Sequence, residues 1–470
     1  MEYSIEYQTT TRGLILRNVA VNLIVGTVLF SCALLAEFCI TIIVSLICMV
    51  VFYSLIFFYR PIIYFKYFHF IFGSSIAIAG CAVIELLKVD LWEISDYSAF
   101  NGALPLLTFS WWAFLSTVML HDAWLSEKLS YRRDKLSLAF RDTFSSNSEN
   151  KGYFITIATC TGCILIVYTF AVVFRNPSFI IGVDRFKYSL MFDYGLLYEQ
   201  ANRFIRYLLI ICIVASIYTK NRIGWLALIV YCMHSFWTGN KFGSFFSLLC
   251  TFLMIYSTRI EPVIMKKKRV IISVGLLTCI LIGFAVFGVS FTRDEGTSGY
   301  LVSRLAQQGQ LWWKTYGTTD TIHINEFGDE VASIKKGTTD IKENVGARYG
   351  IYKIMYYTTP KSQVDAKLKS GSRYTAAGFA AAYYYLGMPG CILFAVIGGI
   401  LTSVFVNYFL FFLRYNQFIR AFIHLRLYTN MTVFMGMFLF FPFFNKTSVL
   451  SYVILLLGHN KIFKYGKEQV

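Results

Sequence analysis

TRDEGTSGYLVSRLAQQGQLWWKTYGTTDTIHINEFGDEVASIKKGTTDIKENVGARYGIYKIMYYTTPKSQVDAKLKSGSRY, residues 292–374, is the only long polar run in a chain otherwise dominated by apolar segments of membrane-crossing length. It holds twelve Lys or Arg against nine Asp or Glu, so it is near neutral and is not a basic tail. Gly, Thr and Tyr are frequent in it and Trp312 and Trp313 are adjacent, which suits a folded extramembrane insert better than a disordered linker. Function is expected here, on a membrane scaffold formed by the rest.

Outward from this stretch, the chain is 57% hydrophobic and only 15% charged, whereas a soluble domain carries roughly a quarter charged residues. The fold class expected is therefore all-α, a polytopic membrane protein. A formal charge of +17 would suggest nucleic acid for a soluble protein; in a membrane chain the basic residues instead assign loops to sides, and no nucleic-acid partner is expected.

With about 20 apolar residues per crossing, about twelve helices are expected, at 18–36, 38–59, 67–87, 101–121, 152–174, 203–219, 223–239, 243–257, 270–291, 391–413, 429–444 and 447–459. Placing the N-terminus inside puts Arg60 and Lys66, then Lys128 to Arg141, Lys220 and Arg222, Arg259 to Arg269, Arg414 to Arg426, and Lys461 to Lys467 on the cytoplasmic side in regular alternation. Both termini are then cytoplasmic, and 88–100, 175–202 and 292–374 face outward. The chain thus divides into a membrane domain over 1–291, the large outer loop 292–374, and a second membrane domain over 375–470. The charged segment 122–151 reads as a solvated connector or an amphipathic surface helix. The first apolar run is too long for a secretory signal.

No phosphate-binding glycine loop, HExxH, GxSxG or paired-cysteine zinc spacing occurs, so no metal and no cofactor is expected. All eleven cysteines lie in apolar segments, and Cys160 and Cys163, although a CxxC, read as small packing residues. Cations near outer boundaries are more informative, because a charge in hydrocarbon costs about 3 kcal/mol unless paired or hydrated. Arg206 enters the sixth helix, Lys241 sits in the turn Thr238 to Gly243, and Arg373 closes the long stretch. Each either snorkels to headgroups or joins an anion site. Residues 375–390, Ala-rich and halted by Gly387, Pro389 and Gly390, are too short to cross; they predict a half-helix that dips in and returns, or an interfacial helix. Val345, Tyr349, Tyr352 and Tyr356 recur at helical spacing beside Arg348, which fits either a packing face or a glycan groove.

The arrangement resembles the bacterial O-antigen and related polysaccharide polymerases, the Wzy family, and more distantly the O-antigen ligases. The resemblance rests on the number of spans, the outer loop with Gly182-Val-Asp-Arg-Phe-Lys-Tyr188, the small-residue turn at 238–244, and Ser370-Gly-Ser-Arg373 leading into a small-residue helix. Family turns of the 238–244 kind commonly carry Arg; here the cation is Lys241, which keeps charge and loses the bidentate fork. A GT-C-like architecture and a metal-independent glycosyl transfer at the periplasmic face of the inner membrane are what it implies. The growing glycan would move from undecaprenyl pyrophosphate onto another undecaprenyl-pyrophosphate-linked repeat unit, with a flippase and a chain-length regulator as partners besides membrane lipids. Arg185, Arg206, Lys241, Arg348 and Arg373 are the pyrophosphate-binding candidates, and Asp184, Asp294, Glu295 and His323 the unranked base candidates. A lipid-linked oligosaccharide flippase or an O-antigen ligase is the alternative.

Overall fold

The computed structural model describes residues 20–143, 223–238, 246–257, 297–414 and 418–456, apart from 88, 92, 256, 339, 340, 447, 454 and 455, together with 162, 164, 209 and 210. The chain divides into two units. One comprises residues 1–124, 257–410 and 423–470; the other comprises 125–256 and 411–422.

Among the described residues, four helices are long and apolar enough to cross a membrane: Ile40–Tyr59, Phe68–Leu86, Ala103–Ser126 and Gly378–Leu413. In chain order the described helices are α1 (Ala20–Leu34), α2 (Ile40–Tyr59), α3 (Pro61–Lys66), α4 (Phe68–Leu86), α5 (Ala103–Thr143), α6 (Ile223–Trp237) and α7 (Phe246–Ile255). The insert supplies α8 (Thr297–Ala306), α9 (Gln310–Thr318), α10 (Gly328–Lys336), α11 (Gly350–Thr358) and α12 (Lys361–Lys369), and the C-terminal part supplies α13 (Gly378–Arg414), α14 (Phe418–Met437) and α15 (Phe441–Phe444). The all-α expectation has one small exception, an antiparallel hairpin of β1 (Asp90–Leu91) and β2 (Asp96–Tyr97) that pairs Asp90 with Tyr97.

Helices lie where spans are expected at 18–36, 38–59, 67–87, 101–121 and 391–413, and shorter ones at 223–239 and 243–257; apart from 162, 164, 209 and 210, the expected spans 152–174, 203–219 and 270–291 lie outside the described residues. Two boundaries are corrected. The helix expected at 101–121 does not end there but continues into the expected connector, as far as Thr143. The span expected at 429–444 is instead the helix Phe418–Met437, broken at Phe438 with φ 54°. Hydropathy places its start too late because Arg420, His424 and Arg426 look like a connection, yet their backbone amides bond within the helix as well as apolar ones do. The helix carries their side chains: the His424 ring packs 5.5 Å from that of Tyr408.

Helix α13 is two helices joined at Gly387, whose φ of 62° and ψ of −151° suit only glycine. The first, 378–386, folds back on the second. A Cβ on Gly390 would lie 2.3 Å from the Ala382 carbonyl oxygen, and the Cys391 Sγ lies 3.7 Å from the Phe379 carbonyl oxygen; in one straight helix residues 379 and 391 would be about 18 Å apart. The small residues of the Ala-rich run therefore permit a tight helical hairpin.

Lys66, expected in a solvated inner connection, is buried. Its Nζ donates to Asp122 Oδ1 at 2.5 Å and to Asn407 Oδ1 at 2.7 Å, while the Tyr67 hydroxyl and Asn407 Nδ2 donate to the same Asp122 oxygen at 2.6 and 2.7 Å. This pins α3, α5 and α13 together. Near the other end of α4, the buried carboxylate of Glu85 accepts the amides of Ala103 and Leu104 at 2.7 and 3.2 Å, satisfying the first N–H groups of α5 and matching its dipole.

The insert is bedded against this frame. A Cβ on Gly80 would lie 2.4 Å from the Leu305 carbonyl oxygen, and one on Gly309 would lie 2.3 Å from the Cys81 amide nitrogen, so backbone meets backbone there. The indole N–H groups of Trp312 and Trp313 donate to the carbonyls of Ala103 and Ala99 at 2.8 and 2.9 Å. Gly80 stands six residues before the end of α4, about 9 Å along it.

Candidate functional site

Where α8, α12 and the β1–β2 hairpin meet, they enclose an open polar cavity of about 670 Å³. Among the described residues, its walls include Arg304, Lys367 and Arg373 and one carboxylate, Glu93, with the amides of Gln307, Gln308 and Gln363 and the hydroxyls of Ser372 and Thr375. Glu93 is committed on both oxygens, to Lys367 and to Gln310 Nε2 at 2.6 Å. Lys367 also lies 4.0 Å from the ring centre of Tyr374. Burial pulls the Lys367 pKa down, and Glu93 opposes that pull. Arg304 Nη1 donates to Gln307 Oε1 at 3.0 Å. Arg373 Nη1 meets the phenol oxygen of Tyr352 at 3.2 Å, and among the described residues no carboxylate pairs with it. Among the described residues the cavity wall therefore carries more cations than carboxylates beside neutral donors and acceptors, an arrangement suited to an anion attached to a hydroxyl-rich body.

Local sequence explains how Arg373 reaches this wall. Helix α12 ends in Ser370-Gly371-Ser372, where Gly371 adopts φ 78°, its amide bonds Leu368, and the Ser372 amide bonds Lys367. This glycine-terminated helix end turns the chain back at once. The half-helix at 378–386 does not aim the amide that precedes it at the cavity, since Ala377 N–H is bound by the Gly436 carbonyl at 2.9 Å.

A second polar group lies on another side of α11. Tyr352 meets Arg373, whereas Lys353 and Tyr357, one and five residues on and so about 100° and 140° around the helix, face His323, Glu326 and Tyr384. Glu326 Oε2 takes Lys353 Nζ and, at 3.0 Å, the Tyr384 hydroxyl; its Oε1 is 3.6 Å from His323 Nδ1. The His323 ring stacks on Tyr384 at 4.2 Å. The Lys353 hydrogen bond holds the Glu326 carboxyl below its ordinary pKa. Four residues on, Glu330 is fully buried; its Oε1 accepts the Gly350 amide at 2.5 Å and the Tyr385 hydroxyl at 2.7 Å, and Oε2 has no partner among the described residues. Burial raises this carboxyl to about 7, against the opposing Gly350 and Tyr385 bonds. Two carboxylates thus tie the segment 324–330 to α11 and to the half-helix as the rungs of a ladder, one ionised and half-exposed, the other buried.

Of the candidates from sequence, Asp184, Arg185, Arg206, Lys241, Asp294 and Glu295 lie outside the described residues. Arg373 lines the cavity, and His323 sits on the ladder. Arg348 is exposed between Gly346 and Gly350 and is not on the cavity wall. The expected helical face Val345-Tyr349-Tyr352-Tyr356 is corrected: Gly346 and Gly350 at φ 79° and 51° interrupt it, and the helix starts only at Gly350. Tyr349 and Tyr352 are buried with ring centres 5.6 Å apart, as packing residues. Sequence reasoning passed over Arg304, Lys367, Glu326, Glu330 and Lys353. His323, Glu326 and Glu330 do fall at a three-and-four spacing that signals one helical side.

A model of a protein family described as a family of unknown function (DUF6418) matches residues 344–452, which runs from the Arg348 turn through the helical hairpin to the last described helices. No curated protein and no solved structure matches the chain.

Proposed function

We propose that this protein is a membrane glycosyltransferase that extends a lipid-linked polysaccharide, at the periplasmic face of a bacterial inner membrane. A growing glycan on undecaprenyl pyrophosphate would pass to an undecaprenyl-pyrophosphate-linked repeat unit, with a flippase supplying the units and a chain-length regulator acting on the product. The observation that carries the reading is the cavity with Arg304, Lys367 and Arg373 on its wall, beside a helix of membrane-crossing length.

In the transfer, an acceptor hydroxyl oxygen bonds to the anomeric carbon while the bond from that carbon to the pyrophosphate breaks, its electron pair going to the departing oxygen. The hydroxyl proton passes to a base. Fixed cations stabilise the charge on the leaving group without metal or nucleotide. Arg373, with no carboxylate partner among the described residues, is the group best placed for this, and the Gln307, Gln308 and Gln363 amides suit sugar hydroxyls. The base would be one of Asp184, Asp294, Glu295 and His323, of which His323 faces a different side of α11 from Arg373.

Deletion of the gene tests the reaction through gels of surface lipopolysaccharide. A single repeat unit capping each core supports polymerisation; no repeat units outside would mean a flippase, and polymer retained on the lipid carrier would mean a ligase. An unaltered ladder would refute all three.

A further inference from the structure

The segment that carries the carboxylate ladder has a second side that the ladder does not use. From the 3-10 turn Ile324–Phe327 the chain passes directly into α10, so positions three and four apart share a side. Glu330 and Ser333 are buried, and Phe327 packs its ring on Tyr385 and Phe440, which defines the inner side. Opposite stand Ile324, Gly328, Val331 and Lys335, all exposed. Ile324 is 55% exposed, Val331 58%, and Ile322, just before them, 61%. A helix that met only water would turn polar residues outward. This one turns Val331 and Ala332 outward, continues Ile324 and Asn325 of the 3-10 turn on that side, and ends in Lys335 and Lys336.

Apolar surface continues beyond the stripe. The inner side rests on Phe440, and a Cβ on Gly337 would lie 2.5 Å from the Phe441 ring, so the segment sits against the break that ends α14. Phe444, in the same short helix as Phe441, is itself exposed. Hydrocarbon facing outward beside the end of α14, closed by two ammonium groups, has the pattern of a helix lying in a lipid interface.

We propose that Ile322, Ile324 and Val331 lie in the headgroup–acyl boundary of the bilayer, with Lys335 and Lys336 on lipid phosphates. The insert then lies along the membrane instead of projecting from it, and the ladder sits at headgroup depth. This rests on the membrane character of the chain and not on the transfer reaction.

The test is photo-crosslinking of the full-length protein in vesicles of phosphatidylethanolamine and phosphatidylglycerol containing radiolabelled phospholipid. Benzoylphenylalanine is placed at Ile324, at Val331 and, as a lipid-facing control, at exposed Leu393 of α13. Labelled lipid adducts at 324 and 331 comparable to those at 393 are expected. Yield at 331 should rise with the phosphatidylglycerol fraction, and Lys335→Glu with Lys336→Glu should abolish that rise. Adducts at 393 with none at 324 and 331 would overturn the proposal, as would adducts there to a second polypeptide.

Discussion

Replacing Glu330 by Gln should change how stability depends on pH, and the size of the change is set by the site. The folded carboxyl is raised from an ordinary 4.5 to about 7 by burial, a difference worth about 3 kcal/mol between the two protonation states. The sign is fixed by linkage: the unfolded chain loses this proton near 4.5 while the folded one keeps it until about 7. Stability from this group is therefore fully present below about pH 4.5, falls as pH rises, and reaches its floor above about pH 7. The Gln side chain cannot ionise. It retains an oxygen for the Gly350 amide and the Tyr385 hydroxyl but buries an NH2 where Oε2 has no partner among the described residues, at a cost of about 1–3 kcal/mol. Glu330→Gln should thus be less stable than wild type under acid conditions, and the gap should close or reverse by about 3 kcal/mol on going above neutrality. Glu326, shifted downward, loses its contribution only below its ordinary 4.5 and does not enter this window. Unfolding of both proteins in detergent, followed by tryptophan fluorescence across the window, measures the gap. A gap that stays constant with pH would refute the account of Glu330.

Arg373→Lys keeps the charge and removes the planar fork, so chain growth should fall roughly tenfold or more, with membrane insertion unchanged, while Arg348→Ala leaves the ladder of chain lengths normal; equal effects of the two would remove Arg373 from its role. Asp122→Ala strands the Lys66 ammonium among buried groups and should cost about 3–5 kcal/mol, most of it regained in Lys66→Met with Asp122→Leu, as read by detergent unfolding. Gly309→Ala puts a methyl 2.3 Å from the Cys81 amide nitrogen, and limited proteolysis should detect a loosened insert at a cost of about 1–3 kcal/mol; unchanged protease resistance would contradict the close approach of the two backbones.

Membrane character was legible in the sequence because solvation is additive: each apolar residue contributes to a span whatever its neighbours do, and no tertiary contact is needed to count them. The break at Gly387 was legible for a similar reason, since backbone conformation is a local property and glycine alone accepts φ 62° with ψ −151°. Arg373 could be singled out because it comes just after the Ser370-Gly-Ser372 turn beside an apolar helix. Its company could not. Arg304 and Lys367 reach the same cavity from separate helices 69 and 6 residues before Arg373, and nothing in their own stretches of sequence marks them out. Lys66 read as a solvated loop residue because its partners lie 56 and 341 residues further on. In the same way Glu330 read as one acid among several until Gly350 and Tyr385 closed over it. Local chemistry settled which segments leave water. Which charges meet, and which carboxyl is buried, was decided by packing between distant segments, because the energy of a charge depends on what surrounds it in three dimensions.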